Sequence, residues 1–218
     1  MSLKLRYDVF GADFLKDAEL VGTYEFPQIP GVTLSEAPSR IIPYDRIGSD
    51  LLPADWIHYY VHDCRFSNIL KPNARILKHI ETIGGMIGPD HSMYRDLPLA
   101  EQIHSSYLNR ATDYYFHKMG KVVIPNVSWG DHRSYTFCCD GIAKESTIAV
   151  STYGCCKSKT AKFQFEDGLI FVIEKLRPYS IMVHGCIWES LQQILQLYNV
   201  RLISIPTWRE MKQKGGMA

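Results

Sequence analysis

The feature that most constrains the fold of this chain is an alternation of short apolar segments with longer helical segments, which begins after Pro53. Six short runs are rich in β-branched and other apolar residues, as is typical of strands that are buried on both faces. These predicted strands cover residues 57–61, 85–88, 122–124, 147–150, 181–183 and 202–205. Short, fully apolar strands of this kind indicate the core of a parallel sheet.

Helical patterns occupy most of the connections between the predicted strands. They cover residues 73–83, 97–119, 163–176 and 187–198, whereas the connection over residues 131–141 is irregular. The longest pattern stops at Gly120, a residue type that favours the left-handed conformation just after a helix. Strands that alternate with helices pair in parallel through right-handed crossovers. The sequence therefore predicts an α/β fold with a mainly parallel sheet.

Six βα units are too few to close an eight-stranded barrel. We therefore expect a barrel-like or partly open barrel sheet, in the manner of an incomplete TIM barrel, with an open doubly wound sheet as the alternative. Glycine-rich phosphate-binding signatures are absent from the sequence, which disfavours the common nucleotide-binding folds.

The chain is predicted to hold one domain with an arm and a tail. Residues 1–53 contain recurring prolines between short apolar pieces, so we expect an arm that packs on the domain and includes a short helix near residues 11–20. Residues 54–208 would form the single α/β domain. Residues 209–218 are polar and glycine-containing, which is typical of a flexible tail.

Composition excludes several classes of protein. The chain has 24 Lys and Arg residues against 23 Asp and Glu residues, a balance that disfavours a protein coating nucleic acid through its overall charge. It contains no apolar run long enough to span a bilayer and no secretory leader. Its six cysteines form no Cys-x-x-Cys pair, so we expect free, mostly buried thiols in the cytoplasm.

Catalytic residues are expected at the carboxyl ends of the strands, where parallel sheets bind their ligands. Asp63, Asp90 and His184 follow or end three of the predicted strands. Two neighbouring carboxylates push their pKa values apart or bind a divalent metal ion, and a histidine serves as a general base or metal ligand. On the first strand, alternation places Asp63 on the face shared by Ile57 and Tyr59, so we expect this face to point into the site.

Further strand-end residues are candidates for substrate binding. They are Ser92, Asn126, Trp129, Ser151, Thr152, Cys155 and Lys157. Trp129 is either a stacking platform or a buried loop anchor, and Cys155 is a nucleophile only if a nearby base lowers its pKa. Asp, Asn, Ser and Thr after a strand are also good caps for the next helix, so capping is the alternative for each of them.

Several ordered motifs resemble one known family. They lie in residues 88–98, 109–110, 123–131, 137–142 and 151–155. Over residues 40–185 the chain resembles the bacterial and phage family known as domain of unknown function 4417. Cys155 and Lys157 match the family pattern, whereas Cys139 and Cys156 occupy variable places. The resemblance implies an origin in a phage, prophage or other mobile element, and it carries no activity, cofactor or catalytic residue with it.

Two functional hypotheses follow. The first is a small α/β enzyme, a hydrolase or transferase acting at a phosphoryl or glycosyl centre, with a polar site at the strand ends. The alternative is a non-catalytic binding module that acts on a host protein or nucleic acid. Its binding surface would be the proline-rich arm or the basic cluster of Lys157, Lys159 and Lys162.

Overall fold

The structure, a computed structural model, describes residues 13–67, 69–70, 74–207 and 210. Its strands are β1 Leu20–Val21, β2 Phe26–Pro27, β3 Ile41–Pro43, β4 Trp56–His58, β5 Gly85–Ile87, β6 Val122–Ile124, β7 Thr147–Ser151, β8 Ser180–His184 and β9 Arg201–Ile205. Its α-helices are α1 Ala74–Thr82, α2 Leu99–Lys118, α3 Lys159–Leu176 and α4 Glu189–Leu197. The predicted tail lies outside the described residues, apart from Glu210, as do residue 73 and residues 11–12.

Strands β3 to β9 form two parallel sheets whose order follows the chain. The first sheet has the order β3-β4-β5-β6 and the second has the order β7-β8-β9, while β1 and β2 form a small antiparallel hairpin. Every neighbouring pair within the two larger sheets is parallel. The predicted α/β class with alternating strands and helices is therefore confirmed.

A single parallel bridge between Asn126 and Ala149 joins the two sheets. Beside it, the Val127 amide donates to the Ala149 carbonyl at 2.8 Å, and the Ala149 amide donates to the Pro125 carbonyl at 2.9 Å. Within the described residues no strand pairing joins β9 back to β3, so the sheets do not form a closed barrel.

Side chains on the two faces of the sheets enter different cores. On the outer faces, strand residues pack against the helices: Ile57 and Met86 lie with Ile80 of α1, and Ile148 and Val183 lie with Leu169 of α3. The inner cluster takes at least one residue from each of the seven parallel strands. Its buried members are Ile41, Trp56, Ile87, Ile124, Ala149, Met182, Ile203 and Ile205. The carboxyl ends of the strands thus surround the top of one shared apolar cluster.

The helix ends follow local sequence signals. Gly120 has φ +77° just after α2, and the Lys121 amide reaches back to the Phe116 carbonyl at 3.1 Å, as a glycine-terminated helix does. Helix α3 begins at Lys159, earlier than predicted, because the Ser158 hydroxyl accepts a hydrogen bond from the Ala161 amide at 3.1 Å and caps the extra turn.

The proline-rich segment contributes more regular structure than its pattern predicted. Residues Ile41–Pro43 form β3 and pair with β4, and only a 3-10 helix over Asp13–Leu15 occupies the described part of the predicted short helix. Pro43 is the last residue of β3, which is an edge strand, so its missing amide hydrogen breaks no ladder with a further strand.

No helix in the described part of the chain is long and apolar enough to cross a membrane. All six cysteines are free, as predicted, but only Cys138 and Cys139 are buried, whereas Cys64 and Cys186 are exposed. The expectation of mostly buried thiols is therefore wrong, because four of the cysteines lie in loops or short turns at the surface.

Candidate functional site

Polar side chains that follow β4, β5 and β6 form one hydrogen-bonded chain at the carboxyl edge of the first sheet. Asn126 Nδ2 donates to Asp90 Oδ1 at 2.8 Å. The Tyr60 hydroxyl donates to Asn126 Oδ1 at 3.0 Å. Parallel strands end at a common edge, which is why residues 66 positions apart in sequence, Tyr60 and Asn126, become partners. Two predicted residues, Asp90 and Asn126, therefore contact each other directly.

His184, the last residue of β8, joins this chain across the inner face. Its ring stacks on Tyr60 with a centroid distance of 4.4 Å and an angle of 15° between the planes. Its Nδ1 lies 3.3 Å from the Ser151 hydroxyl. The His58 ring lies 5.0 Å from the His184 ring. Strands β4 and β8 belong to different sheets, so these contacts bring predicted residues of both sheets into one cluster.

Asp63 enters the cluster by a route that strand alternation did not predict. Strand β4 ends at His58, and Asp63 begins a 3-10 helix, Asp63–Arg65. Its carboxylate accepts hydrogen bonds from the Ser92 amide at 2.9 Å and the Ser92 hydroxyl at 3.0 Å. A turn, and not the pleat, thus carries Asp63 to its predicted neighbours.

The predicted assignment of strand faces is wrong. Ile57 and Tyr59 lie in the outer, helix-packed core, whereas His58 and Tyr60 stand on the inner face beside His184. The error arose because alternation was extended through residues 59–63, where the chain has already left the strand.

Asp90 is the carboxylic acid of the cluster whose pKa is raised toward neutral pH. The pKa of its carboxyl is raised to about 6, mainly by burial and to a smaller extent by the nearby charge of Asp63. The hydrogen bond from Asn126 acts in the opposite direction and lowers the pKa. A carboxyl group that titrates near pH 6 can both release and accept a proton close to neutral pH.

The two histidines of the cluster are uncharged at neutral pH. Burial lowers the pKa of His184 to about 4. Burial also lowers the pKa of His58 to about 3, and the neighbouring His184 contributes to that shift. Neither ring is therefore a cationic acid at neutral pH.

We expect the His184→Phe variant to be less sensitive to acid than the wild-type protein. The folded-state pKa of about 4 lies below the ordinary value of 6.5, so the unfolded chain binds more protons between these pH values. Stability from this histidine is therefore present above pH 6.5 and is lost as the pH falls through 4, by about 3 kcal/mol in all. Phenylalanine keeps a ring against Tyr60 and takes up no proton.

Thermal unfolding measured near neutral pH and near pH 4 tests this expectation. The fall in Tm on acidification should be smaller for His184→Phe than for the wild type. A His132→Phe variant is the control, because His132 is exposed. An equal fall in all three proteins would contradict the assignment.

Three predicted residues of the β7 loop differ in accessibility. Thr152 is buried, and its hydroxyl donates to the carbonyls of His184 at 3.2 Å and Cys186 at 2.8 Å, so it ties two strand-end loops together. Cys155 is half-buried, and burial raises the pKa of its thiol, with Cys156 and Asp90 raising it further. This shift disfavours a nucleophilic thiolate. Lys157 is exposed.

Trp129 packs as a loop anchor. Its ring lies 5.2 Å from that of Phe165 on α3, and it rests directly on Gly168, where no larger residue would fit. The indole therefore holds the loop after β6 against the helix. The predicted stacking platform has the weaker support, because one side of the ring is already covered by α3.

Sequence reasoning missed a buried polar face on α2. Gln102, Ser106, Asn109 and Asp113 recur at helical spacing and are all buried. Asn109 Oδ1 accepts a hydrogen bond from the His91 amide at 3.0 Å and lies 2.7 Å from His91 Nδ1. The signal was present in the sequence as polar residues at a spacing of three and four within the helix predicted over residues 97–119.

Arg110 and Asp113 connect this polar face to the cluster. Arg110 Nη2 donates to the Asn126 carbonyl at 2.5 Å and lies 3.3 Å from Asp113 Oδ2. Asp113 rests against Gly88, where an added Cβ would overlap its carboxylate. The backbone that carries Asn126 and the loop before Asp90 is therefore braced from below by a buried ion pair.

A narrow recess separates α2 from the loop after β6. It is lined mainly by polar residues of these segments, including Asn109, Arg110, Asn126 and Ser128, and has no room for a water molecule. The recess therefore has no space for a ligand.

The described residues contain no group of three or more His, Cys, Asp or Glu side chains placed to hold a metal ion. Asp63 and Asp90 would offer a metal two carboxylates, and both accept hydrogen bonds from protein groups.

Comparisons with known proteins connect the chain to a family and to phages. A family described as domain of unknown function (DUF4417) matches residues 18–201. The "Gene 1 protein" of Mycobacterium phage D29 is 29% identical over 129 residues, 59% of this chain and 48% of that protein. The "Gene 1 protein" of Mycobacterium phage L5 is 30% identical over 129 residues, 59% of this chain and 56% of that protein. The chain thus spans about half the length of these relatives. No solved structure matches it.

Proposed function

The chain belongs to the family described as domain of unknown function (DUF4417), which matches residues 18–201 as one unit, and we propose that this unit is a small acid–base enzyme. Its site would lie at the carboxyl ends of β4 to β8. Its reaction would be hydrolysis or group transfer at a phosphoryl or glycosyl centre of a polar substrate. The homology to phage Gene 1 proteins supports an origin in a phage or mobile element.

The observation that carries this proposal is the placement of Asp90. Its carboxyl group is held by Asn126, which is itself held by Tyr60, so its direction is determined by side chains from two further strand ends. Its pKa of about 6 is suited to a general acid or base at neutral pH. A structural carboxylate that only capped a helix would need neither burial nor a raised pKa.

Asp63 supports the same interpretation as a second carboxylate with a different environment. It accepts two hydrogen bonds from Ser92, whereas Asp90 is raised in pKa by burial. Two carboxyl groups in unlike surroundings can divide the work, one as proton donor and the other as base or charge stabiliser. We propose Asp90 as the proton donor and Asp63 as the stabilising charge.

We propose that Tyr60 and His184 position the site and do not transfer protons to substrate. His184 is a poor base because burial lowers its pKa to about 4. Its stacking contact with Tyr60, with its hydrogen bond to Ser151, fixes the orientation of the Tyr60 hydroxyl toward Asn126. Ser92, Ser151 and Asn126 would then present polar groups to the substrate.

The architecture around this site is best described as a partly open barrel. The strand order never reverses along the chain, whereas a doubly wound sheet reverses at its switch point. Seven strands share one inner cluster, and the rings of β4 and β8 meet above it. We infer that the two sheets curve around this cluster and leave a gap between β9 and β3.

The test is a substrate panel combined with a direct titration of Asp90. p-Nitrophenyl phosphomonoesters, phosphodiesters and glycosides would be assayed from about pH 4 to about pH 9. We expect turnover of at least one class, with an apparent pKa of about 6 in its profile, and an NMR titration of the Asp90 carboxyl near the same pH. Titration at an ordinary carboxyl pKa, with no turnover of any class, would instead favour the non-catalytic binding module.

We expect Tyr60→Phe to lower kcat without unfolding the protein. The change removes the hydroxyl that donates to Asn126 at 3.0 Å but keeps the ring that stacks on His184. One lost hydrogen bond in the positioning chain corresponds to a fall of about 3- to 10-fold in rate. Tyr179→Phe, at a half-exposed residue away from the cluster, is the matched control. A rate equal to that of the control would remove Tyr60 from the site.

A further inference from the structure

Aromatic and basic side chains, all of them exposed except the half-buried Lys162, form a rim beside the candidate site. This basic aromatic rim consists of Tyr94, Arg95, Tyr153, Lys157, Lys159, Lys162 and Phe163. Its three aromatic residues are unusually open: Tyr94 is 64%, Tyr153 is 80% and Phe163 is 69% exposed. Large rings left in water at three nearby positions serve no packing purpose in the chain itself.

Contacts of Arg95 show that these residues share one surface. Its guanidinium donates to the Gln164 side chain, next to Phe163 on the first turns of α3. Its charge also acts on the thiol of Cys155, which lies two residues after Tyr153. The Tyr94–Arg95 loop therefore lies between the start of α3 and the loop after β7.

Among the described residues no acidic side chain forms an ion pair with the lysines of the rim, although Lys162 Nζ lies 5.2 Å from the centroid of the Trp188 ring. Residues 151–165 contain three lysines and no acidic residue. Lys159 and Lys162 fall at the start of α3, whose first turn holds no acidic side chain. Cations are disfavoured at a helix N-terminus, where acidic residues normally stabilise the fold. Lysines at this end of the helix therefore destabilise the fold, and an anionic ligand would offset their positive charge.

We propose that the basic aromatic rim binds single-stranded nucleic acid. Unpaired bases stack on exposed aromatic rings, while lysines and arginines contact the phosphates, and such binding tolerates many sequences. A duplex would keep its bases hidden from Tyr153 and Phe163. The proposal does not depend on catalysis at Asp90, although the effect of Asp90 on the Cys155 thiol shows that the rim adjoins that carboxyl group.

Fluorescence anisotropy with labelled oligothymidylate and oligouridylate of about 16 nucleotides tests this proposal. We expect binding at about 50 mM salt that weakens steeply as salt rises. A preference between the two probes would identify DNA or RNA as the ligand, and either supports the proposal. The same measurement with a duplex of equal length should give much weaker binding.

Variants separate stacking from simple charge attraction. Tyr153→Ala and Phe163→Ala should each weaken binding about five-fold or more, whereas Leu197→Ala, at a residue that is 81% exposed on α4, should not. Lys157→Gln should reduce the slope of log affinity against log salt by about 0.7, and Lys144→Gln, before β7 at the opposite strand ends, should leave it unchanged. All five positions are exposed, so the variants are expected to fold.

Three results would overturn the proposal: no binding at low salt, equal binding of the duplex, or binding that the two aromatic substitutions leave unchanged. Asp90→Asn should bind the oligonucleotides as the wild type does. Oligonucleotide binding that the rim variants leave unchanged would contradict this proposal alone, whereas unchanged turnover in Asp90→Asn would contradict the catalytic proposal alone.

Discussion

The free energy of unfolding of the Arg110→Met variant is expected to be about 3–5 kcal/mol lower than that of the wild-type protein. Arg110 is 3% exposed and Asp113 is 0% exposed, and the two side chains form an ion pair at 3.3 Å. The pKa of Asp113 is already raised to about 7 by burial although Arg110 opposes the shift, so removing the guanidinium leaves either an unpaired buried carboxylate or a carboxyl group that must take up a proton, and both outcomes destabilise the folded protein. It also removes the donor to the Asn126 carbonyl.

A double-mutant cycle in denaturant separates these effects. Asp113→Asn combined with Arg110→Met removes both charges, so the double variant should be more stable than Arg110→Met alone. Burial raises the pKa of Asp113, and the positive charge of Arg110 opposes that shift. The cycle measures the interaction energy between these two side chains.

Lys118→Met provides the control on the same helix. Lys118 pairs with Asp17 at 3.3 Å, but both side chains are substantially exposed, and an exposed pair contributes less than about 1 kcal/mol. If Arg110→Met were no more harmful than Lys118→Met, the buried pair would not brace the site as described.

Asp90→Asn is expected to lower kcat/KM by about 10²- to 10⁴-fold on any substrate that the wild type turns over. Asparagine has nearly the same shape and keeps a side-chain oxygen toward Asn126, so the fold should persist. It cannot release or accept the proton that Asp90 exchanges with a pKa of about 6. The limb of the pH–rate profile that reports this group should disappear with the activity.

Asp96→Asn is the matched control, because Asp96 is an exposed carboxylate in the same loop. Its kcat/KM should stay close to that of the wild type. Thermal unfolding of both variants shows whether a loss of rate reflects chemistry or folding. Full activity in Asp90→Asn would remove this residue from the mechanism, whatever the behaviour of its neighbours.

Strands and helices followed from local pattern with small errors at their ends. Val122–Ile124 forms a strand as predicted, and Val123 and Ile124 are buried whereas Val122 is exposed. Strand β3 was not predicted, because Ile41–Pro43 lies among prolines. Its strand conformation depends on pairing with β4, and a local sequence pattern does not reveal that pairing. Helix α3 was predicted too short, because the cap at Ser158 precedes its apolar stripe.

Only part of the candidate site was predicted. Topology, and not local pattern, brings its members together. Parallel pairing alone implied that Asp90, Asn126, Ser151 and His184 would share an edge, and the hydrogen bonds and ring contacts agree with that. Tyr60 was missed because its face of β4 was judged from alternation beyond the end of the strand. The polar face of α2 was missed because each of its residues is unremarkable until the helix is laid against the sheet.

The sequence by itself determined the alternation of strands and helices, the parallel pairing and the edge at which polar residues gather, since these depend on hydrophobic period and on chain direction. Only the tertiary structure decided which strand face points inward, that Tyr60 links Asn126 to His184, and that Arg110 and Asp113 lie buried beneath them. Those features arise where strands of the two sheets bring distant side chains within a few ångströms, and burial then alters their pKa values. No local pattern carries information about these long-range contacts.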